Sequence, residues 1–280
     1  MRNQVEQIGQ KTGKRASLPS HLDQKWKGRF SDFTIGAILP LAIILVWELF
    51  SYLGLISTFF LPSPSMIAEA FWELTNTGQI SQHLGVSLGR AVLGFLLGGT
   101  LGLLSGIWVG FSRHAEDLLD PSMQMFRMIP HLAIAPLIIL WFGFGEVSKI
   151  LIIAKGAFFP LYIQTYLGIR GVDNKLFEVA NILNFNRYAQ IVKLIVPAAL
   201  PNILLGLRLS LAIAWLGLVA AELIGSESGV GFLINLARQH SNTEIIFVGV
   251  IIFAVVGKLI DSFVRILERR LLKWRDSYQG

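Results

Sequence analysis

The sequence predicts an all-α integral membrane protein of six spans, and three observations carry that reading. Only 15% of the 280 residues are charged and 53% are hydrophobic, with a mean hydropathy of +0.60, whereas a soluble domain carries about 25% charged residues. Many of the 27 glycines fall inside apolar runs, where they would weaken a soluble helix but are common in a membrane one. Six apolar segments are long enough to cross about 30 Å of hydrocarbon as helices. Cysteine is absent, so disulfides and thiolate metal sites are excluded.

The first thirty residues are polar and basic, with Arg2, Lys11, Lys14, Arg15, Lys25, Lys27 and Arg29. The first apolar run starts late and no small-residue cleavage site follows it, so residues 1–32 read as a cytoplasmic tail before an uncleaved span. Spans are expected at Phe33–Leu53, Leu84–Phe111, Pro121–Phe142, Val147–Ile169, Ala198–Ile224 and Ile245–Leu267, within a transmembrane domain 33–269; residues 270–280 read as a cytoplasmic C-terminal tail. Pro130 and Pro136 interrupt the third span, and Lys155 and Pro160 the fourth. Such breaks are tolerated where neighbouring helices or a water-filled cavity satisfy the freed backbone.

An even number of spans puts both termini on one side. With the N-terminus inside, 17 of the 24 Lys and Arg lie in inner segments or at the inner end of a span, 2 in an outer loop or at the outer end of a span (Arg238, Lys149) and 5 deeper within spans. By the positive-inside rule, both termini and the segment Asp173–Pro197 are cytoplasmic.

In the first outer loop, LPSPSMIAEAFWEL, Ser63 can cap a helix with Pro64 at its first position. Met66, Ala70, Phe71 and Leu74 then share one face, as in a short amphipathic helix at the outer interface; an ordered loop is the alternative. The second span carries Gly94, Gly98, Gly102, Gly106 and Gly110, one glycine every fourth residue. That stripe lets another helix approach closely and needs no chemical role.

The chemistry of a self-contained enzyme is missing. There is no G-x-x-x-x-G-K-[ST] and no H-E-x-x-H. His21, His83, His114, His131 and His240 show no metal-ligand spacing. A pore, a carrier, or a membrane subunit driven by another chain remains.

EVANILNFNRYAQIVKLIVP, from Glu178, is polar but patterned. Phe177, Ala180, Ile182, Leu183, Phe185 and Tyr188 recur at roughly helical spacing. Asp173 or Asn174 can cap a first helix, and Asn184 stands where a helix can end in a left-handed residue. A second helix is expected from Arg187 to Val196, stopped by Pro197. The result is a cytoplasmic helical bracket suited to a groove on another protein.

The bracket resembles the cytoplasmic loop of ABC importer permeases, E-A-A, three residues, G, nine residues, I-x-L-P. Glu178, Val179 and Ala180 stand at E-A-A, Asn184 at the glycine, and Leu194, Val196 and Pro197 at I, L and P. Asn184 departs from the pattern yet keeps a left-handed turn possible. ILPLAIILVWELFSYLGLIS, FLPSPSMIAEAFW, SLGRAVLGFLLGG, RMIPHLAIAPLIILWFGFGE and GLRLSLAIAWLGLVAAE are similar to the nitrate, sulfonate, taurine and bicarbonate permeases, most of all to the aliphatic sulfonate permeases. The likeness runs from about Leu39 to Trp274.

This resemblance implies a type I ABC importer transmembrane domain that works as a homodimer in the bacterial inner membrane. The partners it implies are two ABC ATPase subunits at the cytoplasmic face, an extracytoplasmic substrate-binding protein and membrane lipid; no nucleic acid is implied. ATP and Mg would bind the ATPase subunits, and this chain needs no cofactor or metal of its own. A small anion would be imported: an aliphatic sulfonate or, alternatively, nitrate, bicarbonate or taurine. A secondary transporter or channel is the alternative of another class; the inverted repeats that would favour it are not evident.

Several charges fall within or near spans. A charge at the bilayer centre costs at least ~2.5 kcal/mol. Arg127, Arg208 and, less strongly, His131 and Lys155 can form a cationic path. Arg127 and Arg208 can instead snorkel, or pair with Asp117, Asp120 or backbone carbonyls. Glu222, near the outer end of the fifth span, fits a gate, a binding-protein contact or a helix-terminal ion pair. Lys258 and Asp261, three apart, are expected to neutralise each other.

Overall fold

The structure, a computed structural model, describes residues 38–274 apart from the side chains of His131 and Leu132. The basic tail 1–32, the start of the first span and residues 275–280 lie outside the described residues. Every regular element described is helical.

Helix α1, Ile38–Tyr52, belongs to a unit of its own that ends at Ser57. It closes on Gly54 at φ +70°. The Leu55 amide donates to Phe50 and the Gly54 amide to Ser51, a double bond pattern that satisfies the last carbonyls of the helix.

The remaining chain from Thr58 forms the second unit. Helix α2, Pro64–Asn76, starts as expected: Ser63 Oγ accepts from the Met66 amide at 3.2 Å and Pro64 opens the helix. Its buried face, however, is Ile67, Ala70 and Leu74, while Met66 and Phe71 are exposed. The inward stripe is set by the packing of α2 against its helical neighbours.

Helix α3, Gln79–Phe111, packs against α6, Glu146–Arg170, along the glycine stripe. A Cβ on Gly98 would overlap the Ala154 backbone; one on Gly106 would stand 2.6 Å from the Tyr162 carbonyl oxygen and one on Gly110 2.9 Å from Ile169 Cβ. The contacts advance together along both helices, so α3 and α6 run parallel. Close backbone approach is the work of this stripe.

The chain between α3 and α6 departs from expectation. Instead of one span over Pro121–Phe142 there are two helices: α4, Arg113–Arg127, and α5, His131–Phe142. Pro130 lacks an amide hydrogen and disfavours helical backbone in the residue before it. The break is stabilised from outside: Lys155 Nζ donates to the Ile129 carbonyl at 2.6 Å. Pro136 and Pro160, expected to interrupt, lie inside continuous α5 and α6. In the turn before Pro160, Ser210 Oγ donates to the Ala157 carbonyl at 2.5 Å; a neighbouring hydroxyl keeps the loosened backbone satisfied.

Two short helices follow, α7, Asn174–Ile182, and α8, Arg187–Gln190. Pro197 does not stop the second. The chain passes from α8 through a π-helical turn, Ile191–Ile195, into α9, Val196–Gly225. The Val196 amide donates to Ile191, five residues back. This widened turn lets the helix absorb a proline that would otherwise clash with the preceding turn.

Gly206 meets Pro160 and Gln164, and Gly217 meets Ile152 and Ile153, so α9 is antiparallel to α6. The final helices are α10, Val230–Gln239, and α11, Thr243–Leu271. Trp215 Nε1 donates to the Phe253 carbonyl at 3.0 Å, tying α9 to α11. Four helices, Gln79–Phe111, Glu146–Arg170, Arg187–Gly225 and Thr243–Leu271, are long and apolar enough to cross a membrane; Ile38–Tyr52 and Ala133–Phe142 are shorter apolar helices.

Candidate functional site

One end of the second unit carries the bracket. Asp173 caps α7, its carboxylate accepting from the Lys175 amide at 2.9 Å. Asn184 takes φ +54°, the left-handed conformation expected of it. Around it, the Phe185 amide donates to Ala180 at 2.9 Å and the Asn184 amide to Asn181 at 3.0 Å. Asn186 Oδ1 caps α8 through the Ala189 amide at 2.8 Å. Gln190 Nε2 then reaches both Asn181 Oδ1 and the Phe185 carbonyl, and Lys193 lies over the Phe185 ring at 5.4 Å. Two short helices are thereby fixed at one angle.

What this rigid bracket presents is apolar. Ala180 is fully buried, yet Val179, Ile182 (79%), Leu183 and Tyr188 (75%) are exposed. Glu178 is exposed and makes no ion pair among the described residues. Leu194 and Pro197 are half-buried and Val196 is exposed, in or beside the π turn. Large apolar groups are thus left exposed on short helices held rigid by side-chain bonds.

About midway along α6, a cavity of about 340 Å³ is lined by Arg127, Lys155, Phe159, Gln164, Leu209 and Ile213, among others. The structure thus brings together Arg127, at the end of α4, and Lys155. His131 opens α5 just beyond the break. Arg208 is not part of this lining: it pairs with Asp261 at 2.7 Å, and Arg265 pairs with the same carboxylate at 2.9 Å. The expected Lys258–Asp261 pair does not form. Arg208, reaching across from α9, takes the carboxylate, and Lys258 is exposed. Asp120, considered as a partner for Arg127, instead accepts from Tyr162 at 2.9 Å and from Gln124.

The opposite end holds a polar knot that sequence reasoning did not assemble. Glu222 is fully buried. It accepts from Ser87 Oγ at 2.8 and 2.9 Å, Arg90 at 2.9 Å and the Gly231 amide at 2.8 Å. Arg90, 3% exposed, also makes a bidentate pair with Glu146 at 2.6 and 2.7 Å and bonds both hydroxyl and carbonyl of Ser228. The amides of Gly229, Val230 and Gly231 donate to His83, Ser87 and Glu222. The orphan donors at the start of α10 are therefore satisfied by side chains of α3 and α9, with a carboxylate at the positive end of the helix. Gly229, at φ +102°, and Gly231 have no room for a Cβ against Glu222. The signal in the sequence was present: Arg90 and Glu222 are lone opposite charges in apolar runs, and such groups pair.

Parallel and antiparallel apolar helices, with a polar knot at one end and an apolar bracket at the other, define a multi-pass membrane protein. The chain belongs to the family described as binding-protein-dependent transport system inner membrane component, matched over residues 98–273. It is 62% identical over 245 residues (88% of this chain, 89% of the relative) to the SsuC permease protein of Bacillus subtilis (strain 168), whose description assigns it provisionally to aliphatic sulfonates transport. The Escherichia coli (strain K12) protein of the same description is 43% identical over 91% of this chain and 95% of its own length. The taurine transport system permease protein TauC of Escherichia coli (strain K12) is 34% identical over 91% of this chain and 95% of its own length. A crystal structure of an amino acid ABC transporter matches the fold with a TM-score of 0.60 at 18% identity, over 71% of this chain and 96% of that chain.

Proposed function

We propose that this chain is the membrane subunit of an ATP-driven importer of aliphatic sulfonates. The observation that carries the substrate class is the 62% identity to a permease described for aliphatic sulfonates. Taurine is the second reading, from the 34% identity to TauC; the gap between the two favours a simple alkanesulfonate. In this reading two copies of the chain pair in the bacterial inner membrane, with both termini and the bracket 173–197 cytoplasmic. Two ATPase subunits, which bind ATP and Mg, dock on the bracket, and an extracytoplasmic protein delivers the substrate. Glu178, Val179, Ala180, Asn184, Leu194, Val196 and Pro197 form the coupling element. Its exposed apolar groups and locked angle support that role. Arg127 and His131, flanking the α4–α5 break, are proposed for the anion path. The ion pairs of Arg208 and Glu222 favour positioning roles for those two.

The test combines growth and cross-linking. A deletion strain is expected to lose growth on an alkanesulfonate as sole sulfur source and to grow normally on sulfate. Normal growth on the sulfonate, with lost uptake of labelled nitrate or bicarbonate, refutes the sulfonate reading alone. Since the chain has no native thiol, Asn181→Cys and Asn184→Cys are expected to cross-link to cysteines in the ATPase groove with an ATP-dependent yield. Cross-linking from the 225–244 segment instead would invert the topology.

A further inference from the structure

The cationic cavity does not stand alone. A second cavity, of about 520 Å³, is lined by Pro130, Leu216, Val219, Ala220 and Leu223, and Ile213 lines both. Pro130 follows the residue whose carbonyl accepts from Lys155. Along α9, Leu209, Ile213, Leu216, Ala220 and Leu223 recur every three or four residues and form one wall, about 21 Å long at the helical rise. One cavity is charged and the other apolar, and they adjoin.

The first cavity suits an anion. Arg127 has no ion pair among the described residues. Lys155 has three donors and spends one on Ile129. Gln164 adds an amide, and no carboxylate lines the cavity. Unpaired cations at membrane depth are costly and mark ion pathways. Lys155 also lies nine residues into a 25-residue helix, away from the depth at which lipid headgroups sit.

We propose that the two cavities form one binding site within the membrane domain for a small amphiphilic organic anion. The anionic head lies between Arg127, Lys155 and Gln164, and the aliphatic tail lies along α9 beyond Ile213. The site rests on the importer reading and sharpens it: a sulfonate with an alkyl chain fills both halves, whereas nitrate or bicarbonate fills only one. The guanidinium fork and the ammonium supply donors for a three-oxygen head. The tail lies on the side of the Glu222 end, so the head is the deeper part.

The test uses the complete transporter, with its ATPase and binding protein, in proteoliposomes. Uptake of labelled methanesulfonate and hexanesulfonate is compared with ATPase stimulation by the loaded binding protein. Lys155→Gln is expected to lower uptake of both at least tenfold with stimulation within twofold of wild type, and Lys155→Arg to restore most of it. Ile213→Trp is expected to lower hexanesulfonate uptake at least fivefold while methanesulfonate stays within twofold; Leu216→Trp, at an exposed position, repeats this without disturbing a packed wall. Wild-type uptake by both Arg127→Gln and Lys155→Gln overturns the site, as does equal loss of both substrates in both tryptophan variants. Phospholipid that co-purifies with wild type but not with Lys155→Gln, with uptake unaffected, assigns the cavities to lipid and overturns it too. A wild-type transporter that takes up neither sulfonate overturns the importer reading and the site with it.

Discussion

The two ends of the second unit handle their side chains in opposite ways. At the Glu222 end, charged and hydroxyl groups are buried and turned on one another: Arg90 alone bonds Glu146, Glu222, Ser226 and Ser228. At the Asn184 end, Val179, Ile182, Leu183 and Tyr188 face outward, although a chain folding for itself would cover them. A buried polar knot with its bonds satisfied is complete within the chain. An exposed apolar face on a rigid frame is not. The difference is that the first end is satisfied within the chain, whereas the second leaves its apolar groups uncovered, as the coupling role proposed for it requires.

Substitutions centred on Arg90, Asn184 and Ile182 break or sharpen this contrast. The largest effect is expected at Arg90. Arg90→Ala leaves Glu222 buried without its counter-charge, and removing one member of a buried pair costs about 3–5 kcal/mol. Thermal unfolding of the purified chain in detergent is expected to show a large drop in midpoint. Arg90→Met with Glu222→Met together is expected to cost less than the two single changes summed. Additive losses would mean that the two groups stabilise separate regions and that there is no knot.

At the other end the effects on folding are smaller. Asn184 holds φ +54°. Asn184→Val places a branched side chain in left-handed backbone, a cost of roughly 1–2 kcal/mol, whereas Asn184→Gly removes the strain. Sulfonate uptake per ATP hydrolysed is expected to fall in the valine variant and to hold in the glycine variant. Equal coupling in both would separate the angle between α7 and α8 from force transmission.

The smallest effect on stability is expected at Ile182, 79% exposed. Ile182→Ser is expected to move the unfolding midpoint by no more than ~0.5 kcal/mol equivalent, yet to weaken co-purification with the ATPase subunit. A stability loss comparable to that of Arg90→Ala would remove the distinction between the two ends.

The features legible in the sequence are those whose causes lie within a few residues. Asn184 was readable because a helix stop is a local bond pattern: its amide and that of Phe185 reach back only to Asn181 and Ala180. Ser63 with Pro64, and Asp173 before α7, were readable for the same reason. The glycine stripe announced a close contact. Its partner surface on α6, from Ile150 to Ile169, was not announced.

By itself, then, the sequence determined the membrane class, the second, fourth, fifth and sixth spans to within a few residues, the caps, the left-handed turn and the first helix of the bracket. These follow from hydropathy and from backbone bonds that close locally. Only the tertiary structure decided which prolines break their helices. Pro130 does, with Lys155 on the neighbouring carbonyl; Pro136, Pro160 and Pro197 do not, and a hydroxyl from α9 in one case and a π turn in another accommodate them. It also decided which charges pair. Asp261 takes Arg208, 53 positions away, rather than Lys258, and Arg90 finds Glu222 across 132 positions. Charge pairing depends on distance in space, and distances between helices are set by how their faces pack, which spacing along one chain does not encode.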